Sequence, residues 1–293
     1  MLNSSESGGA ARRVVRSLDI DCRDAATVAN ALEEMYRDTL DVLVIRNAFD
    51  RRALAATGAE LDSDAGDPGW ARPNVKMPVE DLQILGTDAP ATPTYQAPRG
   101  VSLEAYLASA DKHRAEEGAV FAGAFDPTPE IQRVLAMFSG GRPVKVAESA
   151  DGRRWVPFTI RRIVDGKQIG VHHDYHYGLD LYEQLRKVAD TQTLISYVAT
   201  LRAPEAGGEL FVYGATSDLT DIPKLANGFS YDLPAIEARY DCAKFVMGEG
   251  DLFLLASGRC LHRVGKVAGP RARVTMGGFL AFNADRSSVL FWS

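Results

Sequence analysis

The second half of the chain is a succession of short apolar strand candidates separated by turn signals, a pattern that few folds accommodate. After Gly140 the sequence predicts strands over Val144–Val146, Val156–Ile163, Gln168–His173, Thr193–Leu201, Glu209–Tyr213, Lys244–Met247, Asp251–Ala256 and Arg273–Phe282. Asp165-Gly166, Ala206-Gly207-Gly208, Gly248-Glu249-Gly250 and Gly269-Pro270 punctuate them. Many short strands with such punctuation imply a β-sandwich or barrel. Asp180–Ala189 reads as a helix inserted between strands.

The first half is different. Asp24 is placed to cap a helix running to about Arg37, with Val28, Ala31, Leu32 and Met35 on one face. Asp41–Arg46 reads as a strand, and Asp50 can cap a helix from Arg51 to about Glu60. Between Asp62 and Gly100, six prolines and four glycines imply loops that wall or cover a pocket. Ser102–Ala115 and Pro129–Phe138 read as helices, the second burying Ile131, Val134, Leu135 and Phe138. The expected architecture is α+β in a single domain over 1–293. Residues 1–12 form a flexible tail, 13–140 a helical and loop-rich part, and 141–293 the β core.

Charge and composition exclude several functions. The net charge of −6 and the lack of basic blocks argue against binding nucleic acid through its phosphates. No apolar run approaches the roughly 18 residues that span a bilayer, so no membrane partner is expected. The polar N-terminus lacks the apolar stretch of a secretory signal. Cys22, Cys242 and Cys260 are odd in number and widely spaced, so neither a disulfide framework nor a thiolate metal site follows. These features fit reduced thiols in a cytoplasmic protein.

The chemistry concentrates in Gly170-Val171-His172-His173-Asp174-Tyr175-His176. In a strand, residues i and i+2 share a face, so His172 and Asp174 converge while His173 points away. A third ligand must come from elsewhere, and only His113 and His262 lie outside the cluster. His113 sits in a charged helical stretch, whereas His262 follows a strand and the turn Ser257-Gly258-Arg259. His172, Asp174 and His262 would form a two-histidine, one-carboxylate set, which leaves open positions and suits non-haem Fe(II) that activates O2. A closed structural zinc site would want a fourth protein ligand.

Eleven residues after His262 stands Arg273, with Thr275 on the same strand face. A guanidinium beside a hydroxyl is a good carboxylate holder. Its partner is either a protein acid or the distal carboxylate of a 2-oxo acid bound to the metal; Arg271 is the alternative holder. Either Arg161 or Arg162 can face the pocket. Tyr197 can reach the same carboxylate or act as a core tyrosine bonded to backbone. Tyr175, His176, Trp70 and the segment with Leu181, Tyr182 and Leu185 are candidates for substrate walls, with ordinary packing or exposure as the alternative.

In this order, His172-x-Asp174, Ala206-Gly207-Gly208-Glu209-Leu210, His262 and Arg273-x-Thr275 resemble the Fe(II)/2-oxoglutarate-dependent oxygenases. That family's core is a double-stranded β-helix (jelly roll), here expected with flanking helices mainly N-terminal. A narrower resemblance rests on Thr159-Ile160-Arg161, Pro204–Tyr213, Glu249-Gly250-Asp251-Leu252, Gly277-Gly278-Phe279-Leu280 and the ending Phe291-Trp292-Ser293. These segments are similar to the carrier-independent aliphatic halogenases of cyanobacterial indole-alkaloid pathways. Those enzymes carry glycine where this chain has Asp174, and chloride fills the vacated position. A carboxylate occupies it, so the resemblance implies a hydroxylase rather than a halogenase.

What the resemblance implies is as follows. His172, Asp174 and His262 hold Fe(II), and Arg273 and Thr275 hold 2-oxoglutarate, with Tyr197 and Arg161 as further contacts. O2 is the second co-substrate, and a small molecule of natural-product or amino-acid type is hydroxylated, with succinate and CO2 as co-products. Desaturation, epimerisation or cyclisation would use the same cofactors. A cupin-like metal-binding protein without redox chemistry would need no 2-oxo acid clamp, and a non-catalytic interaction domain would leave the three ligands unexplained. Oligomeric state is not legible.

Overall fold

The computed structural model describes residues 13–62, 83–85, 103–121, 125–174, 180–191, 193–217, 222, 224–225 and 230–293. The expected tail 1–12, most of the Pro/Gly-rich segment, Trp70, Tyr175 and His176 lie outside the described residues, as do the side chains of His113, Leu181 and Tyr182.

The first elements are strand β1 (Ser17–Asp21), a 3-10 turn (Cys22–Val28), helix α1 (Ala31–Tyr36), β2 (Val42–Arg46), α2 (Arg51–Asp62), β3 (Gln83–Leu85), α3 (Leu103–Val120) and α4 (Pro127–Ala136). Next come β4 (Val144–Val146), β5 (Thr159–Ile163), β6 (Ile169–His172), α5 (Asp180–Arg186), β7 (Ile195–Arg202), β8 (Ala206–Gly207), β9 (Leu210–Thr216) and α6 (Leu233–Arg239). The chain ends with β10 (Cys242–Phe245), β11 (Leu252–Leu255), β12 (Cys260–Val264), β13 (Val267–Ala268), β14 (Arg273–Phe282) and β15 (Val289–Trp292).

Two sheets carry the architecture. The larger runs β1-β2-β11-β7-β14-β15-β4, with β5 joined to β14 and β3 to β5. The smaller has four strands in the order β10-β9-β12-β6. Pairing is antiparallel except for β1 with β2 and β15 with β4. Strand β14 is the spine of the large sheet. Its first half pairs with β5, its second with β15, and β7 lies along its other side. All its residues are buried, as a strand covered on both faces requires.

Register sorts the side chains of the large sheet into two sets. Thr275 lies opposite Arg161 and Thr200, Gly277 opposite Val198, and Phe279 opposite Ser196. Directly paired residues share a face, so Arg161, Ser196, Val198, Thr200 and Thr275 share one, with Phe253 and Leu255 of β11 beside them. Tyr197, Ala199, Leu201, Met276 and Leu280 occupy the other and join the buried apolar core.

Helix α2 lies against β7, and the approach is closest at Gly58. A Cβ there would stand 2.6 Å from the Leu201 carbonyl oxygen, so the helix backbone itself meets the strand.

Several expectations shift. The helix expected from Asp24 is a 3-10 turn followed by a shorter α1. Asp21 provides the cap, its side chain accepting from the Arg23 N–H. The N-terminal part is not only helical, because β1 and β2 extend the large sheet through β11. Strands β12 and β15 and helix α6 add to the predicted set. Among the described residues, no helix is long and apolar enough to cross a membrane.

The Gly58 contact makes a signed prediction. Helix propensity alone favours Gly58→Leu by about 0.8 kcal/mol. Four heavy atoms forced against a backbone carbonyl cost about 3 kcal/mol. Gly58→Leu should therefore lower the unfolding free energy by about 2 kcal/mol in urea titrations. A higher urea midpoint would show that α2 is not held against β7.

Candidate metal centre

Strands β6 and β12 run antiparallel, and their register sets His172 directly opposite His262. The two ring centroids are 4.3 Å apart. Asp174 lies two residues beyond His172, and its N–H donates to the Ser257 carbonyl at 2.9 Å. Its two carboxylate oxygens stand 3.8 Å from the Nε2 atoms of His172 and His262 respectively. One potential ligand atom from each residue falls within 4.8 Å of the others.

The tautomers are set by the backbone. His172 Nδ1 lies 2.8 Å from the Gly170 carbonyl and His262 Nδ1 lies 3.0 Å from the Cys260 carbonyl. A carbonyl only accepts, so each Nδ1 carries the proton and each Nε2 presents its lone pair toward Asp174. Such outer hydrogen bonds orient ligating imidazoles. Each carbonyl belongs to the residue two positions earlier on the same strand.

Burial decides the protonation of His172 and His173. His172 is held well below the ordinary histidine range by desolvation first and by His262 second, against the pull of Asp174. It is therefore a neutral ligand at physiological pH. Burial pushes the Asp174 carboxyl up, but His262, His172, Ser257 and Arg161 outweigh it and keep it below the usual carboxylate range. His173 points away, as expected, and is 4% exposed against Tyr231. Burial, then Lys224 and His262, lower it to about 4.

The donor set fits a divalent metal: two imidazole nitrogens and one ionised carboxylate converge, which is the chemistry expected of an open non-haem iron site.

A cavity of about 60 Å3 extends from this cluster between the sheets. Arg273, Thr275 and Arg161 line its polar part, and Ile163, Leu210, Phe253 and Leu255 are among its apolar walls. Arg273 is 4% exposed, and its Nη1 donates to Thr275 Oγ1 at 3.4 Å. Among the described residues no carboxylate pairs with Arg273. Burial and then the neighbouring Arg161 lower it to about 10, still charged at neutral pH. A buried cation of this kind calls for an anion.

The Gly207-Gly208 pair shapes the wall behind it. Both have positive φ, +71° and +69°. A Cβ on Gly207 would lie 1.9 Å from the Lys266 carbonyl oxygen, and one on Gly208 would lie 3.0 Å from Arg273 Cδ. The glycines thus admit β13 and the arginine stem.

Three expectations are resolved. Arg161, opposite Thr275, faces the cavity, whereas Arg162 takes the other side of β5. Arg271 is exposed, donates to the Pro204 carbonyl at 3.2 Å, and is not among the residues lining the cavity. Tyr197 is among the residues lining the cavity, and alternation along β7 turns its ring to the face opposite Thr275. Its hydroxyl donates to the Pro157 carbonyl, and its ring packs edge-on against Phe291. It is a core tyrosine bonded to backbone. Sequence reasoning missed the carbonyls of Gly170, Ser257 and Cys260, and no signal could reveal them, because any residue supplies a carbonyl.

This fold and donor set define a mixed α+β protein with a candidate metal centre opening onto an anion-seeking cavity. The family model described as carrier-protein-independent halogenase WelO5 matches residues 14–293, and the chain belongs to that family. It is an enzyme of the Fe(II)/2-oxoglutarate-dependent oxygenase class. An N-substituted L-amino acid dioxygenase from Burkholderia ambifaria AMMD is similar in structure, with TM-score 0.52, 16% identity and 91% of each chain covered. A non-haem α-ketoglutarate-dependent carbocyclase, SnoK, from nogalamycin biosynthesis has TM-score 0.50, 12% identity and 88% coverage of each chain. At these identities the likeness is one of fold. No curated protein is significantly similar in sequence.

The buried histidines give the metal-free protein an acid-sensitive stability. His172 and His173 resist protonation when folded, whereas in the unfolded chain they bind protons near pH 6.5. Below that pH the unfolded state therefore binds more protons, and stability falls by about 1 kcal/mol per pH unit for each histidine. Urea midpoints of metal-free protein should drop from pH 7 to pH 5, and less steeply in His173→Phe. Equal slopes in the two proteins would remove His173 as a contributor.

Proposed function

We propose that this chain hydroxylates an unactivated C–H bond of a small molecule of natural-product or amino-acid type, using Fe(II), 2-oxoglutarate and O2. The observation that carries this reading is Asp174. Its carboxylate stands 3.8 Å from each histidine Nε2, at the position that is glycine in the halogenases this chain resembles. A side chain here fills space and supplies negative charge, where glycine would leave room for a chloride.

In this reading His172, Asp174 and His262 hold the iron. Bound there with 2-oxoglutarate and O2, iron supplies oxidation of a strong C–H bond, with succinate and CO2 as co-products. The chain's own residues do the rest. Arg273 and Thr275 bind the distal carboxylate of 2-oxoglutarate through charge-assisted hydrogen bonds in a desolvated site. Arg161 adds positive charge between that clamp and Asp174, lowering both Asp174 and Arg273. Phe253, Leu255 and Leu210 exclude water from the cavity.

We further propose that the two sheets form a double-stranded β-helix, with residues 141–293 as its core and β1 and β2 as an added edge. The shared fold with an amino acid dioxygenase and a carbocyclase fits a small-molecule substrate. Desaturation, epimerisation and cyclisation would use the same residues. Halogenation is the second reading, favoured by the family's description.

The test is anaerobic loading with Fe(II) and 2-oxoglutarate, then oxygenation in the presence of small-metabolite pools. We expect substrate-stimulated succinate and a product richer by one oxygen atom. A chlorinated product from the wild-type protein would overturn hydroxylation in favour of the second reading. Tight iron binding without O2-dependent succinate would favour a non-redox role. Arg273→Leu should raise the KM for 2-oxoglutarate at least tenfold, as expected for losing a hydrogen bond to a charged group worth about 1.5–3 kcal/mol. Asp174→Gly should abolish hydroxylation, and retained hydroxylation would remove Asp174 from the ligand set.

A further inference from the structure

The turn Ala256–Cys260, between β11 and β12, supplies two acceptors on which the candidate ligands depend. The Ser257 carbonyl receives the Asp174 N–H, and the Cys260 carbonyl lies 3.0 Å from His262 Nδ1. Within the turn, Arg259 N and Cys260 N donate to the Ala256 carbonyl at 3.1 and 2.9 Å. These bonds give the turn its shape and do not place it in the molecule.

Its placement comes largely from the N-terminal region of the chain. Ala256 N–H donates to the Asp41 carbonyl at 2.9 Å, and Gly258 N–H donates to the Leu194 carbonyl at 3.0 Å. The Arg259 side chain then donates to three acceptors and stands beside a second carboxylate. Nη2 donates to the Asp41 carboxylate at 3.0 Å and the Leu40 carbonyl at 3.3 Å, while Nη1 donates to the Met35 carbonyl at 3.3 Å. Nε stands 3.0 Å from the Asp38 carboxylate. Asp41 is fully buried and also receives Arg13 and Arg16. A planar, multiply donating cation seated on a buried carboxylate is a rigid anchor.

We propose that Arg259, seated on Asp41, is a positioning residue for the metal centre. It fixes the turn whose carbonyls aim Asp174 and His262, and so it sets the affinity of the site for a divalent cation. This rests on the reading that His172, Asp174 and His262 hold the metal. Arg259 touches none of them, and its effect is transmitted through the Ser257 and Cys260 carbonyls.

A second buried ion pair provides the control. Arg46 donates to Asp251, which is 2% exposed, at 2.8 Å, and it also pairs with Asp19. Neither acid meets a candidate ligand in any of these bonds.

The experiment uses full-length, metal-free protein and Co(II) as the probe, with affinity read by chelator competition and the ligand set by visible absorption. Losing a direct outer-shell partner weakens metal binding about 10- to 100-fold, so Arg259→Met, one link further out, should weaken it about tenfold and alter the absorption. Arg259→Lys keeps the charge without the fork and should fall between. Arg46→Met should lose stability yet bind Co(II) like the wild type. Wild-type affinity in both Arg259 variants would overturn the proposal, as would equal weakening in Arg46→Met. Should Arg259→Met fail to fold, Arg259→Lys decides alone: weaker binding supports the proposal and unchanged binding overturns it. If His172→Ala binds Co(II) like the wild type, the metal reading itself fails, an outcome separate from any difference among the arginine variants.

Discussion

The pairing of β6 with β12 is the constraint on which the site depends. Register places His172 opposite His262, and a slip by one residue would carry His262 to the other face of the sheet. The pairing is irregular on both sides of this position. Register shifts between His262 and Val264 against β6, and between Cys260 and His262 against β9. Bulges add local twist and re-aim side chains. Here they flank the one residue of β12 that must point at Asp174, so regularity of the sheet yields to the aim of one imidazole.

Charge placement follows the same economy. The cluster holds two imidazoles and one carboxylate, while Arg273 and Arg161 face the adjoining cavity with net positive charge. Burying a guanidinium beside another cation is unfavourable, and the lowering of Arg273 to about 10 records it. In the proposed reading a bound dicarboxylate would relieve that cost, and co-substrate and fold would stabilise each other. The apolar walls keep the interaction strong by keeping water out. Arg259 and Asp41 show the opposite arrangement: there the buried charges are matched within the protein, and the gain is rigidity.

How much of this was legible depends on the distance over which each feature is decided. Strand β14 was readable to its end residues because ten consecutive buried positions leave a continuous apolar signature after its leading arginine. His172-x-Asp174 and Arg273-x-Thr275 were readable because parity along one strand is local. Strand β12 was not. Cys260-Leu261-His262-Arg263-Val264 mixes charge with apolar residues directly after a turn, and only its neighbours β6 and β9 make it a strand. The choice between Arg161 and Arg162 was likewise closed to sequence, since it is made by register with Thr275 on a strand more than a hundred residues away. The orientation of Tyr197 was closed for a related reason. Strand β7 is largely buried on both faces, with Ser196, Val198 and Thr200 on one and Ile195, Tyr197, Ala199 and Leu201 on the other, and burial alone does not say which face meets the cavity. Helix α6 carried a legible signal that went unread: Asp232 followed by Leu233-Pro234 is a capping residue with proline in the first turn.

Family and reaction are written at different scales in this molecule. Membership is carried by residues 14–293 together. In the proposed reading, what occupies the remaining metal position is set by one side chain. In that reading glycine at 174 would remove the negative charge that stands 3.8 Å from each imidazole Nε2 and open space for an anion. Aspartate closes that gap with an anion tethered to the backbone, whose N–H is fixed on Ser257 and whose effective concentration no free halide matches. The same turn that holds Ser257 also supports His262. The aim of the tethered carboxylate and that of the distal histidine therefore rise or fall together.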